Sequence, residues 1–441
     1  MRDTAAGANP VVTPAVSERS RMGAGRLFAL SAYWLATNLH WGALLLIILP
    51  SQVREIAPAH KAEVQGLIVG TGAVVALIVP LVVGALSDRC RSRWGRRRPY
   101  MVVGVAVNLA GLAILFSAGG LGSIPLYILG YVVVQLGNNT ATGAYSGMIP
   151  DLVRRDQRGE ASGWMAAMTQ TGTILGALLG GFLMGAGQVA ASYVAIAGAL
   201  VLFVSVTALG TREEALREAP APVDWRGFVA GFWIDPRRYP DFWWVWITRA
   251  LVTMGMWTVQ PFIQYYLADV IGVASPERTA ATLMAIILIG ATVTGLLGGR
   301  LSDRIGRKRV VYTANVIIAA ASVGFVFSGS LAVTLVVGMI YGLGYGAYYS
   351  VDWALGCDVL PSQENAAREM GVWHISMVLP QSLAAPVGAL LLASFGHYAV
   401  PGVDGGPVYH YTRAGYTALF SVAAGFLLLG AILLRRVRGV R

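Results

Sequence analysis

Apolar residues in this chain fall in long runs that short polar and charged segments interrupt. Many runs extend over about 20 residues, the length that crosses the ~30 Å hydrocarbon core of a bilayer as a helix. Apolar residues lie on all sides of each predicted helix, as expected for membrane spans rather than for amphipathic surface helices. The pattern predicts about twelve spans: 27–50, 64–86, 100–118, 124–149, 161–187, 189–209, 242–268, 278–299, 310–330, 331–356, 369–393 and 415–434. We therefore expect an all-α membrane protein.

Composition excludes a soluble enzyme. The 441 residues are 56% hydrophobic and only 12% charged, about half the charged fraction of an average soluble domain. Residues 1–26 are polar, and we expect them to form a short disordered tail. The apolar run that follows is too long for a signal-peptide core, so we expect the chain to keep it as its first span.

Positive charge is distributed very unevenly between the two sides of the predicted membrane. Of 33 Lys and Arg residues, 28 lie in the two tails and in the loops after even-numbered spans. The opposite side carries four, namely Arg54, Lys61, Arg278 and Arg413, and Arg249 falls inside a span. The positive-inside rule predicts that both termini are cytoplasmic. We expect an integral, multi-pass protein of the cytoplasmic membrane. The net charge of +11 then faces anionic lipid headgroups and does not indicate nucleic-acid binding.

An internal repeat divides the chain into two halves. GALSDRCRSRWGRRRPY (84–100) follows span 2, and GGRLSDRIGRKRV (298–310) follows span 8. A second pair, PDLVRRDQRGEASG (150–163) and CDVLPSQENAAREMG (357–371), follows spans 4 and 10. The sequence predicts six-helix halves at 27–209 and 242–435, a cytoplasmic linker at 210–241 and a basic cytoplasmic tail at 436–441. Duplicated halves with a substrate site between them are typical of secondary transporters.

With these motifs the chain resembles the major facilitator superfamily, whose signature Gly-x-x-x-Asp-Arg-x-Gly-Arg occurs in the loops after spans 2 and 8. The longer first copy, SDRCRSRWGRRRP, resembles that of sucrose transporters and of the related glycoside-pentoside-hexuronide symporters. The resemblance implies a twelve-helix major facilitator fold and solute transport by alternating access. The glycoside symporters carry cation-binding acids in span 2, where this chain reads VVALIVPLVVG (74–84). Sodium coupling of that kind is therefore not expected.

The same resemblance implies a cytoplasmic gate in the two repeated loops, formed when the protein faces outward and broken when it opens inward. An Asp at a helix end can accept hydrogen bonds from exposed N–H groups, and arginines can bridge to acids on adjacent loops. The alternative, that an arginine here only sets topology, applies best to Arg91 and Arg93. The predicted gate residues are Asp88, Arg89, Gly95, Arg96, Asp303, Arg304, Gly306 and Arg307.

Four predicted spans, the first, fourth, seventh and tenth, carry polar residues on one helical face. Because unsatisfied polar groups in hydrocarbon are costly, these faces should meet one another or water. Amides and aromatic rings suit a neutral, hydroxyl-rich ligand or an aromatic amphiphile; alternatively, they only hydrogen-bond helix to helix. The candidate cavity residues are Tyr33, Thr37, His40, Gln135, Asn138, Asn139, Trp257, Gln260, Gln264, Tyr345 and Tyr348.

Two charged residues lie within spans at similar depth, Arg249 in span 7 and Asp352 in span 10. A buried Arg stays charged and requires an anion, while a buried Asp requires a cation or a proton. Two interpretations remain open. The residues form a static salt bridge, or Asp352 takes up a proton during a transport cycle.

No enzyme is expected, because the sequence has no His-x-x-x-His, His-Glu-x-x-His or paired Asp-rich loops. Neither a metal nor a cofactor is expected. The sequence predicts a monomeric secondary transporter in the lipid bilayer that moves a small organic solute, with H+ as coupling ion. Proton-coupled symport of a sugar or glycoside is the first hypothesis, and proton-coupled export of a drug or secondary metabolite is the alternative.

Overall fold

A computed structural model of the protein describes residues 21–213, 234–360, 366–401 and 406–438. Most of the predicted amino-terminal tail and of the predicted linker lies outside these ranges. Twelve long helices follow one another within the described part. Helices α1 to α12 are Ala24–Ile56, Lys61–Ser87, Arg98–Leu121, Ile124–Tyr145, Arg158–Gly185, Val189–Gly210, 240–271, Pro276–Ile305, Arg307–Phe327, Leu331–Asp358, Ala366–Ser394 and Arg413–Leu433.

The predicted twelve-helix fold is confirmed. Among the described residues, ten helices are long and apolar enough to cross a membrane, and the other two long ones are α4 and α7. These two fall short because amides and other polar residues interrupt their apolar runs. Helix α1 is longer than predicted at both ends and contains a π-helical segment, Leu44–Ile48. Helix α7 passes through a 3₁₀ turn at Gln260–Phe262, where Pro261 lacks an amide hydrogen.

A short β-hairpin, which the sequence did not predict, connects α11 to α12. Its strands are His397–Pro401 and Pro407–Tyr411, and they pair antiparallel with His397 opposite Tyr411. The strands have five residues each and mix polar with apolar positions, so they give no clear alternating pattern. We call the face of the molecule that carries this hairpin the distal face, and the opposite face, which carries Arg21 and Arg438, the terminal face.

The two halves, α1–α6 and α7–α12, meet along two helix pairs. Helix α2 packs on α11, where Gly66 lies against Ala389 and Gly70 against Pro386. Helix α5 packs on α8, where Gly181 lies against Ala281. All these residues lie in the distal parts of their helices. Contact between the halves is therefore well developed toward the distal face.

Small residues also set the packing inside each half. In the second half, Gly342 lies against the backbone of Ile287 and Gly346 against that of Ala291, so α10 touches α8 directly. In the first half, Gly176 lies against the backbone of Leu39 and brings α5 onto α1. Helices in a membrane gain little from the hydrophobic effect between them, so this close van der Waals packing provides much of their association.

Gly342→Val should therefore destabilise the protein, because a branched side chain has no room against the Ile287 backbone. We expect the free energy of unfolding to fall by about 1–3 kcal/mol, the usual cost of overpacking. The midpoint of thermal unfolding in detergent should fall with it. Gly425→Val is the matched control, since Gly425 of α12 has nothing within 4 Å of an added Cβ. Equal unfolding midpoints for the two variants would contradict the packing described here.

Candidate functional site

A cavity of about 200 Å³ lies between the two halves. Helices α1 and α5 of the first half and α7–α10 of the second supply its wall. The wall includes Trp41 and Gln170 from the first half and Trp257, Gln260 and Tyr345 from the second. No acidic or basic side chain is among the described residues that line it. The cavity thus offers aromatic faces and neutral hydrogen-bonding groups.

Of the sequence-predicted cavity residues, Trp257, Gln260 and Tyr345 line this cavity. Sequence reasoning missed the contribution of α5, which supplies Thr169, Gln170 and Thr173. Thr169 and Thr173 are four residues apart and share one helical face. The four-residue spacing was a signal in the sequence, although glycines and apolar residues separate these polar positions.

Helix α4 contributes no lining residue to this cavity among those described. Its amides instead bond to α1 and to each other: Thr37 donates to Asn138 at 2.6 Å, and Asn139 donates to the Gln135 side chain at 2.8 Å. Tyr33 of α1 lies 2.6 Å from Thr142, oxygen to oxygen. In this conformation these residues hold α1 and α4 together.

His40 is fully buried in α1 next to Trp41, with ring centroids 4.7 Å apart. Neither of its ring nitrogens has a hydrogen-bond partner among the described residues.

Arg249 and Asp352, the two charges predicted within spans, form an ion pair. The Arg249 Nε lies 2.9 Å from Asp352 Oδ2, and the two side chains are only 5% and 7% exposed. Tyr348 donates to the other carboxylate oxygen at 3.0 Å. Arg249 also donates to the Trp373 carbonyl at 3.1 Å, and its guanidinium lies 3.3 Å from the centre of the Trp373 ring. The pair joins α7, α10 and α11 outside the cavity wall.

On the terminal face, Arg97 is the centre of a second cluster. It lies 2.5 Å from Asp88 and 3.0 Å from Asp151, and it donates to Ser87 at 2.7 Å. Arg96 pairs with the other Asp151 oxygen at 2.5 Å. Sequence reasoning included Asp88 and Arg96 in the gate but missed Arg97 and Asp151. The signal for Asp151 was present in the repeated PDLV segment after span 4.

Gly95 allows the loop to reach this cluster. Its φ of +102° lies in the region that favours glycine, and an added Cβ would collide with Glu213. Glu213 accepts a hydrogen bond from the Arg97 amide at 2.8 Å, at the start of α3. Burial raises the pKa of Glu213, while the Arg97 and Arg98 amides act in the opposite direction.

The second copy of the loop repeats this arrangement in part. Gly306 has a φ of +96°, and Arg307 pairs with Asp358 at 2.5 Å. Asp358 is the last residue of α10, and Asp151 lies six residues after the end of α4. The two occupy matching positions in the repeated segments, so Arg307–Asp358 and Arg96–Asp151 are equivalent pairs. Arg304 is exposed, and the side chain of Asp303 lies outside the described part of the structure. In the first copy, Arg89 donates to the Ala85 carbonyl at 3.1 Å.

A group of polar contacts closes the distal side between the halves. We call it the distal network; it consists of Ser51, Arg54, Lys61, Glu63, Gln264, Asp269, Glu277, Tyr411 and Tyr416. Its centre is the pair of Lys61 with Asp269 at 2.8 Å, with side chains 2% and 1% exposed. Tyr416 and the Tyr411 amide donate to the second Asp269 oxygen at 2.8 and 3.0 Å.

Three further contacts of the distal network cross between the halves. Arg54 pairs with Glu277, and Tyr411 donates to Glu63. Burial raises the pKa of this tyrosine. Gln264, a predicted cavity residue, donates to Ser51 at 2.7 Å and is part of this network instead of the cavity wall. Sequence reasoning did not find the network, although Arg54 and Lys61 were two of only four cations assigned to that side.

An all-α membrane protein of two six-helix halves, with a cavity between them and clusters of ion pairs at both faces, has the architecture of a solute transporter. The chain belongs to the Major Facilitator Superfamily, whose family model matches residues 22–367 and, in a second match, 245–440. The predicted family is therefore confirmed.

Curated relatives include the sucrose transport protein SUC4 of Arabidopsis thaliana, 27% identical over 197 residues, which are 41% of this chain and 37% of that protein. The sucrose transport protein SUT1 of Oryza sativa subsp. japonica is 29% identical over 181 residues, 37% of this chain and 33% of its own. The general alpha-glucoside permease of Schizosaccharomyces pombe is 29% identical over 170 residues, 35% and 30% of the two chains. The matches thus span about a third of these relatives.

Solved structures with the same fold cover nearly the whole chain. The nucleoside transporter NupG aligns with 94% of this chain and 99% of its own, with a TM-score of 0.69 and 14% sequence identity. A bacterial homologue of the human lysosomal transporter Spinster covers 94% and 96%, with a TM-score of 0.62 and 15% identity. At these identities the likeness establishes the fold alone.

Lys61→Met should open the distal side, because Asp269 would keep a buried charge without its cation. Removing one partner of a buried ion pair costs about 3–5 kcal/mol. This cost would destabilise only the closed arrangement, in which Asp269 is buried. We expect at least a tenfold faster reaction of a cysteine placed at Gln260 with a membrane-impermeant maleimide added from the distal side. The background lacks Cys90 and Cys357.

Two controls accompany this measurement. Arg413→Met removes an exposed cation from the same face and should leave the labelling rate unchanged. Adding Asp269→Asn to Lys61→Met removes the unpaired charge and should return the rate toward that of the parent. An unchanged rate in Lys61→Met would show that the pair does not hold the distal side closed.

Proposed function

We propose that the chain is a secondary active transporter, and not an enzyme, that moves a small uncharged organic solute across the cytoplasmic membrane by alternating access. The observation that carries the proposal is the uncharged cavity between two repeated halves, closed on the distal side by the distal network. The solute would bind there, and the halves would then rock to expose it to the other side.

A sugar or glycoside is the solute class that we propose. Trp41 and Trp257 in the cavity wall present flat apolar faces on which a sugar ring can stack, and Gln170 and Gln260 can bond its hydroxyl groups. The absence of charge among the described lining residues fits a neutral ligand. Similarity to sucrose transport proteins and to an alpha-glucoside permease supports the same class.

Protons are the coupling ion that we propose. Arg249 and Asp352 form a buried ionisable pair in the second half, about two helical turns along α10 from the cavity residue Tyr345. If a proton neutralises Asp352, Arg249 loses its carboxylate partner and the links between α7, α10 and α11 change. The static salt bridge is the competing interpretation.

We further propose that the termini are cytoplasmic, as the positive charge indicates, and that one chain is sufficient for transport. The distal face is then external. The conformation described here is closed to the outside by the distal network.

Export of an aromatic compound is the alternative function, favoured by the two tryptophans and two tyrosines, Tyr341 and Tyr345, that line the cavity. The direction of coupling distinguishes the two functions. In proteoliposomes, an acidic exterior should drive sucrose uptake by a symporter, whereas it should drive efflux of an aromatic cargo from an antiporter. Efflux of an aromatic amphiphile without sugar uptake would establish the alternative.

Asp352→Asn should abolish accumulation of radiolabelled sucrose against its gradient, because the amide cannot take up a proton. Counterflow, the exchange of labelled for unlabelled sucrose, requires no net proton movement and should continue at a comparable rate. Asp156→Asn, which alters an exposed acid of the terminal face, is the control and should accumulate sucrose normally. Gradient-driven accumulation by Asp352→Asn would refute proton coupling through this residue.

A further inference from the structure

Three histidines lie on the distal face beside the acids of the distal network. His60 immediately precedes α2 in the first half, and His397 and His410 belong to the β-hairpin of the second half. Histidine is the side chain that ordinarily gains a proton between about pH 8 and pH 5. These three residues can therefore change the charge of the distal face over that range.

His410 and Lys61 approach the same oxygen of Asp269 from opposite halves. The Lys61 Nζ lies 2.8 Å from Asp269 Oδ1, and the His410 Nδ1 lies 3.6 Å from it. The Asp269 side chain is only 1% exposed, whereas that of His410 is 20% exposed and in reach of water. Protonated His410 therefore gives Asp269 a cation from its own half, and two positive charges then compete for one carboxylate oxygen.

His60 has the same relation to Glu63 in the first half. Its Nδ1 lies 3.3 Å from Glu63 Oε1. Glu63 also accepts a hydrogen bond from Tyr411 of the other half. Protonation of His60 creates an ion pair with Glu63 inside the first half, so this carboxylate depends less on the tyrosine hydroxyl.

His60 also faces His397 across the boundary between the halves. Their ring centroids are 5.7 Å apart in an edge-to-face arrangement, and both residues are exposed. Neutral rings attract one another in this geometry, whereas two imidazolium rings at the same distance repel. Acid thus replaces an attraction between the halves with a repulsion.

We propose that His60, His397 and His410 form a pH-sensitive switch that opens the distal side in acid. The inference goes beyond the proposed function, because it concerns access to the cavity from the distal side and not the protonation of Asp352. When the histidines are neutral, Lys61 holds Asp269 and the halves stay together. When they are protonated, each acid has a cation in its own half and the two halves repel.

Other charged and titratable groups surround the switch. Tyrosine, lysine and arginine ordinarily keep one charge state between pH 8 and pH 5, so the experiment must separate the histidines from the carboxyl groups. Besides Lys61, Glu63, Asp269 and Tyr411, the groups that face the histidines or the distal network are Arg54 and Glu55 of α1, Glu277 of α8, Tyr398 and Tyr409 of the hairpin and Tyr416 of α12.

Double electron–electron resonance on the purified full-length protein tests the switch. Spin labels at Gln188 of the first half and Ala274 of the second, both exposed, report the distance between the halves in protein without Cys90 and Cys357. From pH 8 to pH 5.5, the population ratio of the longer to the shorter distance should rise about threefold, the combined size of a few modest surface charge contributions.

Replacement of all three histidines by glutamine, which is polar but takes up no proton, should abolish this rise. His374→Gln is the matched control, since it makes the same change in the part of α11 nearer the terminal face, and it should respond to pH like the parent. His410→Arg places a permanent positive charge beside Asp269 and should raise the longer-distance population already at pH 8.

The outcomes separate the switch from proton coupling at Asp352. Asp352→Asn should keep the pH response of the parent, because Asp352 lies toward the terminal end of α10. A response that is absent in the parent, or that persists in the triple glutamine variant, overturns the switch and leaves the proposed function intact. Loss of the response in Asp352→Asn would assign it to the coupling site and also overturn the switch.

Discussion

Polar groups in the hydrocarbon core must find their partners inside the protein, and this constraint shapes the structure from the single side chain to the whole fold. Arg249 is the clearest case, because it cannot lose its charge and its side chain is buried. It is satisfied by a carboxylate, a carbonyl and an indole ring from two neighbouring helices. The amides of α4 find partners in the same way, within their own helix or on α1. The groups left to meet a solute are those that face the cavity.

Some ion pairs join segments within one half, and others join the two halves to each other. This arrangement fits a protein whose halves rock against each other. Arg97 with Asp151 and Arg307 with Asp358 each join segments of one half and do not cross between the halves. Lys61 with Asp269 and Arg54 with Glu277 join one half to the other, so they must break when the distal side opens. Because the Lys61–Asp269 pair is almost completely buried, separating it without solvation would be costly. Opening must therefore admit water or supply new partners.

The sequence was sufficient for twelve spans, the repeat and the family, because hydrocarbon thickness and loop charge impose patterns that any chain must show. It also indicated that Arg249 and Asp352 lie at one depth, and the structure joins them. It did not reveal which polar faces meet. The amides of α4 hydrogen-bond to α1 and to one another, while Thr169 and Gln170 of α5 line the cavity. Side-chain partners across helices depend on helix rotation and tilt, which hydropathy does not encode. The hairpin strands are short and show no clear alternating pattern. The distal network depends on contacts between residues far apart in the chain, such as Glu63 with Tyr411, which are 348 positions apart, beyond the reach of local patterns.

Alternating access is the central claim, and the distance between the halves on the distal face tests it most directly. Spin labels at Gln188 of the first half and Ala274 of the second, both exposed, would report this distance by double electron–electron resonance in protein without Cys90 and Cys357. Alternating access predicts a short distance in the conformation described here and a second, longer distance that gains population in Lys61→Met. A pair at Leu121 and Gln188, within one half, should stay constant. A single unchanged distance between the halves under all conditions, including Lys61→Met, would contradict alternating access.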